Sequence, residues 1–146
     1  MLNSAYKEVG SIMNDVIKVF KTLSDETRLR ILCLLIQRDC CVCEVMQVLR
    51  ISQTRASRNL RALYDAGFLK LKKEGLWSLY YISPDADKEY LKELVVVVGK
   101  ALADSDVIVK DREYLEKAER LAPESVRNLN RELSHKFNLV TSRNLS

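Results

Sequence analysis

The chain has 146 residues, a length that suits one domain with an appendage. Its hydrophobic content of 47% supports a real core, and 30% charged residues argue for a soluble protein rather than a membrane one. Four glycines and two prolines leave little room for long irregular loops, so the predicted structure is mostly helical.

In chain order, residues 5–22 set Val9, Ile12, Met13, Val16, Ile17 and Phe20 at helical spacing, giving one apolar stripe. Ser24 or Asp25 can cap a second helix running to about Gln37. Leu29, Leu32, Cys33 and Ile36 share its expected buried face, which makes Cys33 a small core residue. Residues 40–42 are expected as a short strand and Glu44 to Leu49 as a short helix, with Arg50-Ile51 as the turn. Ser52 is a credible N-cap for a helix from Gln53 to about Asp65, and Gly67 ends it. Ala56, Leu60 and Leu63 face inward there. Phe68–Lys73 and Trp77–Ile82 read as two strands around Glu74-Gly75-Leu76. Helix, turn, helix and basic hairpin make a winged helix-turn-helix.

Pro84 separates this unit from the rest. Residues 86–103 read as a helix with Tyr90, Leu91, Leu94, Val95, Val98 and Leu102 apolar. Ser105 or Asp106 starts another, to about Leu121, and Pro123 suits the first turn of a last one. In that last helix Val126, Leu129, Leu133 and Phe137 make a narrow seam, and Thr141 to Ser146 read as a frayed end. The expected division is 1–104 for the winged helix-turn-helix with the helix that follows it and 105–146 for a helical extension.

Charge is distributed unevenly. Residues 1–84 carry 13 basic and 8 acidic side chains, whereas residues 85–146 carry 11 and 12. Residues 50–73 hold seven basic side chains against Asp65 alone, an electrostatic footprint for phosphate. The N-terminus mixes Lys7, Glu8, Asp15 and Lys18 with apolar residues, unlike a signal peptide. Apolar runs such as Leu94 to Val98 are far too short to span a membrane. The expected location is cytoplasmic, where thiols stay reduced and cysteines serve as ligands or sensors rather than as a disulfide framework. Three of the four cysteines lie in Cys40-Cys41-Val42-Cys43, just ahead of the helix begun by Ser52. Thiolates are soft ligands that favour thiophilic metals and metalloids. Cys41 and Cys43 cannot share a face of a regular helix, but they can converge if Cys41 is extended and Cys43 starts the helix.

Phe20-Lys21-Thr22-Leu23-Ser24-Asp25-Glu26-Thr27-Arg28-Leu29-Arg30-Ile31, Cys41-Val42-Cys43-Glu44-Val45, and Ser52-Gln53 through Leu60, Leu63 and Gly67 together resemble the ArsR/SmtB family of metalloregulatory repressors, in its arsenite-responsive form. Tyr80 and Tyr81 fall where that family's wing strand ends, and the resemblance covers about residues 10–84. It implies a homodimer on an inverted-repeat operator, joined through the first helix and the helix after the wing, and derepression on ligand binding. The fold class is thus mostly α with a small β-hairpin: a dimeric winged helix-turn-helix with additional C-terminal helices.

No cofactor is required on this reading. The inducer is expected to be As(III) or Sb(III), or another thiophilic metal, held by Cys40, Cys41 and Cys43. Position 46, where arsenite-type members usually carry a third cysteine, is methionine. Either Cys40 replaces it through a bent strand, or the site has two sulfurs. Ser52, Gln53, Thr54, Arg55, Ser57, Arg58, Arg61, Lys72 and Lys73 are the expected DNA contacts. Gln53, Thr54, Ser57 and Arg58 lie nearest the bases; Arg55, Arg61, Lys72 and Lys73 hold phosphates. Two other readings stand beside this one: a thiol redox-sensing repressor, and a winged-helix interaction module that binds no DNA. A thiol enzyme is disfavoured, because the single histidine, His135, is remote from the cysteines and no phosphate-cradling glycine loop is present.

Overall fold

The computed structural model describes residues 2–84 and 88–144, with side chains for 10–84 and 88–135. The elements are α1 (Leu2–Leu23), α2 (Glu26–Gln37), α3 (Val42–Leu49), α4 (Gln53–Asp65), β1 (Leu69–Glu74), β2 (Trp77–Ile82), α5 (Glu89–Leu102), α6 (Asp106–Lys117) and α7 (Pro123–Asn144). This is the mostly helical, winged arrangement that the sequence predicts. The expected start of α5 at residue 86 and the Phe137 side chain lie outside the described residues.

Local chemistry sets the boundaries. Asp25, in extended backbone, accepts the Arg28 N–H at 2.9 Å and caps α2. Ser52 does the same for α4 by accepting the Arg55 N–H at 3.2 Å. At the other end of α4, Gly67 has φ +96°. There the Phe68 N–H reaches the Leu63 carbonyl and the Gly67 N–H reaches that of Tyr64, which closes the helix with its last carbonyls satisfied. Gly75, at φ +63°, is the first residue of a two-residue hairpin loop, since Glu74 pairs with Trp77.

The core gathers Ile31, Leu32 and Leu34 of α2, Val45 and Met46 of α3, Ala56, Leu60 and Leu63 of α4, and Phe68. Each large side chain there contributes about 1.5–3 kcal/mol by leaving water. α2 packs against α4, α5 and α6, so more than one of its stripes is buried. Ile31, Leu34 and Leu35 join Leu32 and Cys33 inside, while Ile36, expected inside, is partly exposed.

Three boundaries differ from expectation. The strand expected at 40–42 reduces to one bridge between Cys40 and Tyr80, because Val42 already belongs to α3. α6 ends at Lys117 rather than near Leu121. Residues 118–122 leave the helix because their backbone groups bond elsewhere: Glu119 with the Gln47 side chain, and the Leu121 carbonyl with Trp77 Nε1. α7 continues through Thr141 to Asn144, where fraying was expected. The C-terminal helices are also docked on the domain. Leu115 and Leu133 are buried in the main core, and Arg30 grips Asp111 through two hydrogen bonds of 2.8 Å.

Candidate thiol site and nucleic-acid interface

The thiol site is built on the first turn of α3. Cys41 precedes the helix in extended backbone (φ −82°, ψ 168°), and Cys43 lies within the first turn. The Glu44 carboxylate accepts the Cys41 N–H at 3.0 Å, and this fixes the bend. The change from extended to helical backbone does what a regular helix cannot. It brings the two side chains to one side, with the Cα atoms 5.4 Å apart and the sulfurs joined as a disulfide. That linkage differs from the reduced pair expected of a cytoplasmic chain; the spacing of the two backbones is what permits it.

Cys41 and Cys43 pack on Leu79, with Trp77, Leu121 and Val126 around them. The Leu121 N–H points at Cys43 Sγ, 3.5 Å away, and Trp77 Nε1 donates to the Leu121 carbonyl at 3.0 Å. A cleft of about 330 Å³ opens over the pair, walled by Leu76, Trp77, Pro123 and Val126 with Arg127 at its side. The sulfurs are thus nearly buried yet adjoin open space.

Cys40 belongs elsewhere. Its side chain is fully buried in the main core, with Sγ 3.5 Å from the Arg38 carbonyl. Burial, reinforced by the Glu44 carboxylate, pushes its thiol up to about 12, so it is protonated at neutral pH. Burial also raises Cys33, a core residue as expected. Among the described residues, no group of three or more His, Cys, Asp or Glu side chains is arranged to hold a metal ion. The structure brings together Cys41 and Cys43 and leaves Cys40 apart.

Glu44 is a buried polar residue of the thiol site with no place among the residues expected from the sequence. It is 1% exposed and pairs with Arg38 and, at 3.6 Å, with Arg120. Arg120 also reaches Glu74 at the hairpin end, 3.5 Å away. One signal was available: Glu44 stands three residues after the N-cap, where a carboxylate can turn back to the cap's N–H.

α4 presents the other half of the site. Gln53, Thr54, Arg55, Arg58 and Arg61 are exposed and Ser57 is partly so, opposite buried Ala56, Leu60 and Leu63. The Arg58 side chain makes no hydrogen bond or ion pair among the described residues. Arg55 reaches Thr27 Oγ1 at 3.3 Å, and Arg61 pairs with Asp65 and covers the Tyr64 ring. On the wing, Lys73 is exposed, whereas Lys72 pairs with Asp39 at 2.7 Å above the Tyr81 ring. These ties are exposed and exchangeable, so they orient the cations without removing them from a phosphate's reach.

Residues 25–76 match the description "bacterial regulatory protein, arsR family". A Pseudomonas putida protein named arsenic resistance transcriptional regulator ArsR2 is 37% identical over 98 residues, which span 64% of this chain and 84% of that one. The chain belongs to the arsR family. It is a winged helix-turn-helix DNA-binding repressor, and its relatives are transcriptional regulators, not enzymes. A cadmium resistance regulator homologue, CadC, of Staphylococcus aureus is 44% identical over 82 residues, 56% of this chain and 64% of that protein. A homodimeric winged helix-turn-helix DNA-binding domain from Mycobacterium bovis superimposes with a TM-score of 0.55 at 30% identity, over 66% of this chain and 85% of that one. The arsR-family match contains Cys40, Cys41, Cys43, all of α4 and the wing lysines. It stops before α6 and α7. No described helix is long and apolar enough to cross a membrane.

Proposed function

We propose that this arsR-family repressor leaves its operator when a thiophilic metalloid, As(III) or Sb(III), or a comparably soft metal ion bridges Cys41 and Cys43, once a thiol reductant has opened their disulfide to the dithiol. The observation that carries this is the convergence of the two side chains at the start of α3, beside a cleft that admits a small ligand. The arsenic- and cadmium-resistance names of relatives support the same ligand class. α3 packs directly on α4, so drawing both sulfurs onto one ion strains the α3 start and tilts the DNA-reading helix. A coupling of roughly 1–3 kcal/mol, about 5–150-fold in affinity, is ample for derepression. Cys40 can become a third ligand only if its backbone bridge to Tyr80 opens and its thiol loses its proton.

On DNA, Gln53, Thr54, Ser57 and Arg58 read base edges, while Ser52, Arg55, Arg61, Lys72 and Lys73 hold the backbone. The protein acts as a homodimer on an inverted repeat. Supporting this, α1 exposes Ile12, Met13 and Phe20, and α5 exposes Val96 and Val97.

Gel shifts on DNA upstream of the gene test the reading. Arsenite should release the wild type, and Cys41→Ser/Cys43→Ser should bind but no longer respond. A double variant that arsenite still releases would place sensing elsewhere. The Cys41–Cys43 disulfide favours a second reading, a redox switch. Release by oxidant but not by arsenite, reversed by a thiol reductant, selects it.

A further inference from the structure

α7 lies outside the family match and meets the recognition helix at its beginning. Asn130 Oδ1 accepts the Gln53 N–H at 2.9 Å, and the Glu132 carboxylate holds Arg50 at 3.3 Å. Arg50 is one of the seven cations of the basic patch, and Gln53 opens the helix assigned to the bases. The lead-in to α7 is pinned independently. Gln47 exchanges hydrogen bonds of 2.7 and 3.1 Å with the Glu119 backbone, and Trp77 holds Leu121. Leu133 is buried in the main core, so docking of α7 involves its apolar side as well.

We propose that α7 is an intramolecular brake on operator binding, holding Gln53 and Arg50 through Asn130 and Glu132 until DNA takes their place. The argument is one of shared donors. A backbone N–H supports one good hydrogen bond, and Arg50 cannot face Glu132 and a phosphate with full strength at once. α7 offers these donors a carboxamide and a carboxylate oxygen, the acceptor chemistry that a DNA backbone also supplies. Arg50 and Glu132 are each about half exposed, so the hold is light and reversible. The strap that leads into α7 also touches Cys43 through the Leu121 N–H. If the thiol reading above holds, a ligand on the sulfurs therefore pushes on the same brake; the brake itself does not depend on that reading.

The test compares full-length variants by fluorescence anisotropy, at fixed salt, on a mixed-sequence duplex and on DNA upstream of the gene. Asn130→Ala changes no charge. It should tighten binding to both DNAs by roughly fivefold and leave the salt slope unchanged. Asn130→Asp strengthens the acceptor on Gln53 and should weaken binding. Glu132→Gln added to Asn130→Ala should tighten it further. Unchanged or weaker binding by folded Asn130→Ala overturns the proposal, since α7 would then brace the DNA-bound helix. If Asn130→Ala fails to fold, Asn130→Ser replaces it with the same expected sign. Failure of the thiol reading shows separately, as a wild type that arsenite does not release or a Cys41→Ser/Cys43→Ser variant that it still does, with the Asn130→Ala difference intact.

Discussion

Two neighbouring residues, Cys40 and Glu44, show how burial assigns different work to reactive groups. Cys40 is enclosed and its thiol is raised to about 12, above the ordinary value near 8.5. A raised folded-state pKa stabilises the fold while pH stays below the unfolded value, and that contribution is lost as pH climbs toward 12. Alkaline unfolding between about pH 8.5 and 12 should therefore be shallower in Cys40→Ala than in the wild type, although Cys40→Ala is less stable at neutral pH. A parallel fall in both proteins, followed by circular dichroism, would contradict this. Glu44 is buried too, and it faces two arginines and the Cys41 N–H. Glu44→Gln removes the counter-charge of Arg38 and leaves Arg120 with Glu74 alone. It should cost about 2–4 kcal/mol in urea unfolding, at the lower side of what breaking a fully buried pair costs, because both arginines are part-exposed. It should also loosen Cys41, so labelling of the reduced Cys41–Cys43 pair by a thiol reagent should speed up.

At the scale of elements, the recognition helix is the best-determined piece. Its Ser52 cap, its buried face and its Gly67 stop are all legible in the sequence, because each is a local rule of side-chain chemistry. Gly67→Ala is expected to destabilise by roughly 1–2 kcal/mol. The added methyl faces a φ of +96° and lies 3.1 Å from Leu91 Cδ1. An unshifted thermal midpoint would show that the chain finds another way to end α4. What the sequence did not reveal is non-local. Nothing near Lys117 signals that α6 stops there; the reason is that Gln47 and Trp77, far away in the chain, take the next backbone groups. Cys40 looked like a neighbour of the CxC pair, and only the bridge to Tyr80 shows that it faces another cluster. Asn130 could not be singled out, since its partner lies 77 residues earlier.

For the whole molecule, α1 and α5 each carry a group of exposed apolar residues. Ile12, Met13 and Phe20 on α1 and Val96 and Val97 on α5 are each more than half exposed. A second copy is the expected cover. Phe20→Glu with Val97→Glu should yield a folded monomer in sedimentation at micromolar concentration, with operator affinity lost because two half-sites can no longer be held together. A dimer that survives both substitutions would move the interface away from α1 and α5. Residues 105–135 bear differently on the assembly. They share the core of their own chain through Leu115 and Leu133, so cutting the chain after residue 104 should lower stability rather than simply remove an appendage.

The single bridge between Cys40 and Tyr80 has a consequence for local opening. Each backbone gives and receives a hydrogen bond, at 3.0 and 2.8 Å, between the segment that leads into the thiol helix and the second wing strand. Both bonds join the same two residues, so separating the backbones breaks them together. In amide hydrogen exchange the Cys40 and Tyr80 N–H groups should therefore show one common protection factor, and any agent that frees one should free the other. The second wing strand and the segment that leads into the thiol pair would then open and close as a single cooperative unit.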